Sequence, residues 1–98
     1  MDERVLLQTA ADRLEALAAR TTSGDWRIGG LLASRPEVIA HDDGATEHVA
    51  EARAGTAAWI SALSPAVAAP LAAWLRAAAP DPAAVAFARA LLQRLPTA

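Results

Sequence analysis

The stretch TSGDWRIGGLLASRPEVIAHDDG, residues 22–44, decides the fold class of this 98-residue chain. Within it, Trp26–Ala33 and Glu37–His41 are short runs rich in Trp, Ile, Leu and Val, which is a composition typical of β-strands. Ser34-Arg35-Pro36 separates the two runs and favours a connection between them. The sequence therefore predicts two short strands that pair as a β-hairpin.

Glycine and aspartate mark two further features of this hairpin. Gly29 and Gly30 lie inside the first run, where glycine indicates a bulge or a close approach of the backbone to another segment. Asp42-Asp43-Gly44 is a turn signal that ends the second strand. We expect the chain to leave the sheet at this turn and to continue as a helix.

Helical periodicity lies on both sides of the hairpin. The segment Asp2–Arg20 has one apolar stripe, which contains Leu7, Ala10, Leu14 and Leu17. A second helix is predicted to begin at Thr46, with Thr46 as its N-cap and Glu47 in its first turn. One face of this second helix would carry Val49, Ala52, Thr56, Ile60 and Leu63.

Prolines divide the rest of the chain. Ser64-Pro65 stops the second helix, and a short turn over Pro65–Ala69 precedes a third helix over Pro70–Ala79. Asp81 caps a fourth helix that runs from Pro82 to about Leu95. The inward residues of the third helix would be Leu71, Trp74, Leu75 and Ala78. We therefore predict a mostly α fold with a small β-hairpin (α+β), with about four helices, the hairpin between helix 1 and helix 2, and one domain over residues 1–98.

Composition narrows the classes of function. The formal net charge is −2, all nine basic residues are arginines spread along the chain, and no patch forms, so we expect no nucleic-acid partner. No cysteine is present, which excludes disulfides and thiolate metal sites. Arg, Pro or Asp interrupts every long apolar run, so we expect no membrane span and a cytoplasmic protein. Abundant alanine without Lys, Asn, Tyr or Cys is typical of a GC-rich genome.

The segment Thr22-Ser23-Gly24-Asp25-Trp26 follows the first helix and precedes the strands, and this order resembles a family of small phage proteins. The chain looks like the Ead-type phage proteins of unknown function, which commonly carry Thr-Pro-Gly-Pro-Trp at this place. Both prolines are replaced here, and the resemblance covers roughly Leu14 to Leu75. It implies a fold shape and a phage-like or actinobacterial setting, and it brings no catalytic residue.

One cluster of titratable residues is a candidate site: His41, Asp42, Asp43, Glu47, His48 and Glu51. Imidazole and carboxylate are ligands of Zn and Mn. On a helix that begins near Thr46, Glu47 and Glu51 would lie one turn apart with His48 beside them. The alternative is a solvated turn that leads into a polar helix N-terminus, where acidic residues are favoured. No complete metal or catalytic motif is present, so we expect no cofactor and no enzymatic activity.

Three tryptophans, Trp26, Trp59 and Trp74, supply large apolar surface in a chain rich in alanine. They favour a core or a subunit interface over a ligand site, although binding of a small ligand near Trp26 stays open. Between Pro82 and Leu92 the only charged residue is Arg89, and such a helix is normally buried on most sides. The sequence thus predicts an interaction module that forms a homodimer or binds another protein. The alternative is a protein that binds a metal or small ligand through residues 41–51.

Overall fold

The computed structural model describes residues 1–30 and 36–96 and shows the predicted α+β fold. The elements are, in chain order, α1 (Glu3–Ala19), β1 (Asp25–Gly29), β2 (Glu37–Asp42), β3 (Ala45–Glu51), α2 (Ala54–Ala62), a 3₁₀ turn (Pro65–Val67), α3 (Ala68–Ala77) and α4 (Pro82–Arg94). The hairpin lies between the first helix and the later ones, as predicted. The number of about four helices is slightly off, since α2 and α3 belong to one helical stretch, Ala54–Ala77, that the 3₁₀ turn interrupts.

The chain divides into two compact units. The helical unit comprises Met1–Arg20 and Ala68–Ala98 and contains α1, α3 and α4. The sheet unit comprises Thr21–Val67 and contains the three strands and α2. The assignment of residues 1–98 to one domain stays a prediction.

In the helical unit, α1 packs against both α3 and α4. Leu7 and Leu75 are the largest fully buried side chains of its core. Most of the other core positions are alanines, and the buried cluster consists of Leu6, Leu7, Ala10, Ala11, Ala72, Leu75, Ala84, Val85 and Ala88. Because alanine projects only a methyl group, the helices of this unit can approach closely.

A polar clamp also joins α3 to α1. The Arg76 guanidinium donates to Glu15 and, at 2.8 Å, to Asp12. These two carboxylates stand one turn apart on α1 and raise the pKa of Arg76, because both favour the cation. Because these side chains are substantially exposed, the clamp adds to the packing of Ala72 and Leu75 of α3 against α1 and does not set it.

The sheet unit contains a three-stranded antiparallel sheet in the order β1-β2-β3. A two-residue turn joins β2 to β3, and both of its residues have positive φ, 49° at Asp43 and 84° at Gly44. Positive φ at both central positions defines the type I′ turn, whose twist matches that of paired strands. The predicted turn signal is confirmed, and here it reverses the chain into a further strand.

The predicted helix beginning at Thr46 is therefore wrong, because residues 45–51 form β3. The tight turn brings this segment alongside β2. The pairing between the two strands then decides its conformation, although the spacing of its apolar side chains is helical. The second helix begins at Ala54, so its N-cap lies seven residues later than the predicted Thr46. Its N-cap is Arg53, whose side chain makes no capping hydrogen bond.

The first strand and its glycines also differ in part from prediction. The strand β1 ends at Gly29 and Gly30 lies beyond it, while residues 31–33 of the predicted run, together with Ser34 and Arg35, lie outside the described residues. The bulge falls on β3, where the register shift leaves Val49 without a partner. At Gly29 a close approach is confirmed, since a Cβ there would lie 2.8 Å from Cδ1 of Ile39.

Two helix boundaries follow from proline and aspartate. The helix α3 begins at Ala68, so Pro70 lies in its first turn, where a backbone donor is not needed. The predicted N-cap is confirmed, because Asp81 Oδ1 accepts a hydrogen bond of 2.9 Å from the backbone N–H of Ala84. On α3, Leu75 is buried as predicted, but Trp74 is 48% exposed, so its inward placement is wrong.

Candidate functional site

The two faces of the sheet differ in what covers them. On the central strand β2, Val38 and Ala40 are fully buried on the side where α2 packs against the strands. The intervening residues Glu37, Ile39 and His41 point to the opposite side, because successive side chains of a strand alternate. This second side, which we call the open face, carries most of the titratable groups of the sheet unit.

One contact between an imidazole and a carboxylate connects two strands on the open face. Nδ1 of His48 on β3 lies 3.0 Å from Oε2 of Glu37 on β2. Glu51 is directly opposite Glu37 in the register, so two carboxylates and one imidazole share the end of the sheet. A second pair, Arg27 Nε with Asp25 Oδ2 at 2.6 Å, lies within β1. The open face thus carries polar contacts of two kinds, one between strands and one within β1, on a largely solvated surface.

The strand β3 separates the residues that the predicted helix would have gathered. Glu47 is opposite Ala40 and so points to the side that α2 partly covers, whereas His48 points to the open face. His41 is opposite Thr46 on the open face, and Asp43 is in the turn. Of the described residues, no group of three or more His, Asp or Glu side chains is positioned to hold a metal ion.

Sequence reasoning missed Glu37, the actual partner of His48. The available signal was the Asp43-Gly44 pair between two runs of strand-forming residues, which is a strong indicator of a hairpin. Pairing the chain outward from that turn brings residues 45–51 next to residues 37–42. The bulge at Val49 then sets which residues of β3 face Glu37, and no sequence pattern indicates that bulge.

Trp26 lies on the same side of the sheet as Ala40 and is half-buried. Its indole Nε1 donates a hydrogen bond of 3.1 Å to the carbonyl oxygen of Thr22. The polar atom of this side chain is thus used within the segment that precedes β1. This contact gives Trp26 a role in ordering the connection between α1 and the sheet.

The helix α2 presents large apolar side chains to solvent. Trp59 is 69% exposed, and Leu63, the C-cap residue that directly follows the helix, is 55% exposed. Only Ala57 of α2 is buried. No residue from Ala54 to Leu75 carries a charge. The outer surface of α2 is therefore an uncharged apolar face, which we call the α2 face.

A second exposed apolar feature belongs to the helical unit. The rings of Trp74 on α3 and Phe87 on α4 meet edge to face, with centroids 6.0 Å apart. Trp74 is 48% and Phe87 37% exposed. Each of these two rings therefore has an aromatic partner. Among the described residues, no aromatic ring packs against Trp59.

By length and composition alone, the helical stretch Ala54–Ala77 is long and apolar enough to cross a membrane, with a mean hydropathy of 1.5. Pro65 and Pro70 interrupt this stretch in the sequence, and the structure is helical on both sides of the 3₁₀ turn. The expectation of no membrane span stays a prediction. Core helices of soluble proteins meet the same criterion, and Ala72 and Leu75 of this stretch belong to the core of the helical unit.

Comparisons of this chain with family models, with curated proteins and with solved structures find no match.

Proposed function

We propose that this protein is a non-enzymatic interaction module that associates with a second copy of itself. The observation that carries the proposal is the exposed apolar surface of α2 and its C-cap residue, where Trp59 is 69% and Leu63 55% exposed. Of the residues of α2, only Ala57 is buried. Exposed apolar surface of this kind marks protein interaction sites.

The energetics favour covering these side chains. Removing apolar surface from water contributes roughly 25 cal/mol per Å², and an aromatic side chain buries about 150–250 Å². Trp59 and Leu63 are largely exposed, so their burial within their own chain contributes little of this free energy. A symmetric dimer doubles the gain, since each copy covers the same surface of the other.

The setting that we propose is the cytoplasm of a GC-rich organism, which fits the alanine-rich composition without lysine or asparagine. An actinobacterial or phage-like source is what the resemblance of the segment Thr22–Trp26 to the Ead-type phage proteins implies. The net charge of −2 supports a protein partner over nucleic acid.

Light scattering coupled to size exclusion tests the proposal. We expect a mass of about twice the 10.1 kDa of the chain at micromolar concentration, with dissociation on dilution. A monomer over the whole concentration range, with no partner added, would overturn the self-association that we propose.

A further inference from the structure

The strand β1 is an edge strand whose backbone is hydrogen-bonded on one side only. The strand order β1-β2-β3 places β2 on one flank of Asp25–Gly29. Among the described residues, no segment other than β2 forms backbone hydrogen bonds with β1. The N–H and C=O groups on the outer flank of β1 are therefore open to water or to another extended chain.

The pairing pattern identifies the residues whose backbone groups point outward. In an antiparallel pair, hydrogen-bonded and non-hydrogen-bonded residue pairs alternate. Pro36 accepts a backbone hydrogen bond of 3.2 Å from Ala52 on the β3 side, so every second residue from Pro36 onward turns its backbone groups toward β3. The residues between them turn toward β1, where their partners are Asp25, Arg27 and Gly29. The backbone groups of Trp26 and Ile28 therefore point away from the sheet.

The two edges of the sheet differ in how they are protected against pairing with another chain. The edge strand β3 contains the bulge at Val49, and a bulge distorts the row of backbone groups that a new strand would need. The strand β1 pairs with β2 in continuous register and has no bulge. Its residue Ile28 is 49% exposed. The edge of β1 is therefore the regular one.

The two charged residues of β1 decide which chain fits this edge. Asp25 and Arg27 both lie on the open face and are largely exposed. When two β1 strands run antiparallel with Trp26 opposite Trp26, Asp25 of each copy lies opposite Arg27 of the other. Opposite charges at facing positions stabilise a strand pair, whereas a shift by two residues would set Arg27 opposite Arg27. The sequence of β1 is thus complementary to itself in one register.

We propose that two copies of this protein associate through β1, antiparallel and centred on Trp26, so that their sheets join into one sheet of six strands. This inference rests on the proposed function and adds the contact surface and its register. The contact is isologous and closes at two copies, whereas pairing of β1 with β3 of another copy would continue into a fibre. Its two-fold axis is perpendicular to the sheet, so α2 of both copies lies on the same side of the joined sheet.

Hydrogen exchange of backbone amides, followed by NMR at two protein concentrations, tests the pairing. The N–H of Trp26 should exchange roughly tenfold more slowly in the dimer than in the monomer, since an outward N–H of an edge strand is otherwise open to water. The matched control is the N–H of Thr46 on β3. Thr46 lies opposite His41, which turns toward β1, so this N–H also points outward. It should exchange at the same rate at both concentrations.

Charge reversal tests the register. Asp25→Arg would set like charges opposite each other at Arg27 in both copies, while the net charge changes from −2 to 0. General repulsion between the copies would decrease, yet the dimer Kd should rise about tenfold because two opposite-charge pairs become like-charge pairs. Adding Arg27→Asp restores the net charge of −2 and should return the Kd to within about threefold of the wild type. Circular dichroism checks that both variants fold.

The outcomes separate this inference from the proposed function. A dimer in which the N–H of Trp26 exchanges as fast as in the monomer overturns the pairing through β1 and keeps the self-association. Slower exchange at Thr46 in its place assigns the contact to β3 and also overturns the inference. A Kd that Asp25→Arg leaves unchanged or lowers overturns the register. A wild-type monomer at every concentration overturns both the inference and the proposed function.

Discussion

Nδ1 of His48 lies 3.0 Å from Oε2 of Glu37, and this contact joins the edge strand β3 to the central strand β2 on the open face of the sheet. Both side chains are substantially exposed to solvent. The contact therefore shows how the two strands are aligned, but it contributes little to the stability of the protein.

We predict a weak coupling between these two residues. A double-mutant cycle with Glu37→Gln and His48→Ala should give an interaction energy of about 0.2–1 kcal/mol, because exposed ion pairs are well solvated. Urea denaturation at pH 6 measures the free energies of unfolding, and added salt should reduce the coupling. A coupling of several kcal/mol would show that the pair is desolvated and contradict this account of the open face.

Metal binding is predicted to be weak. Since the described residues bring no three His, Asp or Glu side chains together around one point, Zn, Mn and Ca should be lost on dialysis. Elemental analysis of the dialysed protein measures this, and a thermal-shift scan over the same ions should show no stabilisation. One equivalent of metal that survives dialysis and is lost in His48→Ala would instead support the alternative of a metal-binding protein.

Three glycines should respond to alanine in a fixed order. Gly44→Ala should destabilise the protein by about 1 kcal/mol, because its φ of 84° strains an L-residue while no atom lies within 4 Å of the new Cβ. The Cβ of Gly55→Ala would also meet no atom within 4 Å, so this variant measures only the preference of alanine over glycine in a helix. It should stabilise the protein by up to about 1 kcal/mol. Gly24→Ala should be the most damaging, since its Cβ would lie 2.6 Å from the carbonyl oxygen of His41.

Denaturant midpoints at one low protein concentration, where the chain is monomeric, measure this order. A Gly44→Ala variant as stable as Gly55→Ala would contradict the left-handed turn between β2 and β3. A harmless Gly24→Ala would contradict the close packing of this glycine against the backbone of β2.

Removal of the cap on α4 should weaken the helical unit. Asp81→Ala leaves the N–H of Ala84 without its acceptor and should cost on the order of 1 kcal/mol. Asp81→Asn is the control, because an amide oxygen can accept the same hydrogen bond and asparagine is an equally good N-cap. If the alanine variant keeps the midpoint and slope of the wild type, the cap does not form in solution.

The sequence predicted best where local chemistry decides the structure. Asp81-Pro82 at the start of α4 is such a case, because the cap and the proline act within one turn. Prediction from the sequence was wrong at residues 45–51. The spacing of Val49, Ala52 and Thr56 matches a helix, but pairing with the neighbouring strand decides the structure there. The same failure displaced the candidate site, since the face on which Glu47 lies depends on the register of β3.

The exposure of Trp74 also could not be predicted from the sequence, for a different reason. Helical spacing places Trp74 next to Leu75 and so near the core of the helical unit. Alanine fills most of the remaining core positions, and the indole of Trp74 lies outside this cluster and packs on Phe87 at the surface. Periodicity gives the direction of a side chain but not the volume available to it.

The alanine core of the helical unit also limits how this sequence can change over generations. Positions such as Ala10, Ala72 and Ala88 are fully buried and have only one methyl group to lose. Truncation there removes little, whereas any larger residue must push two helices apart. Drift at these positions is therefore one-sided: a lineage can exchange alanine for glycine singly, but a bulkier core requires paired substitutions on facing helices.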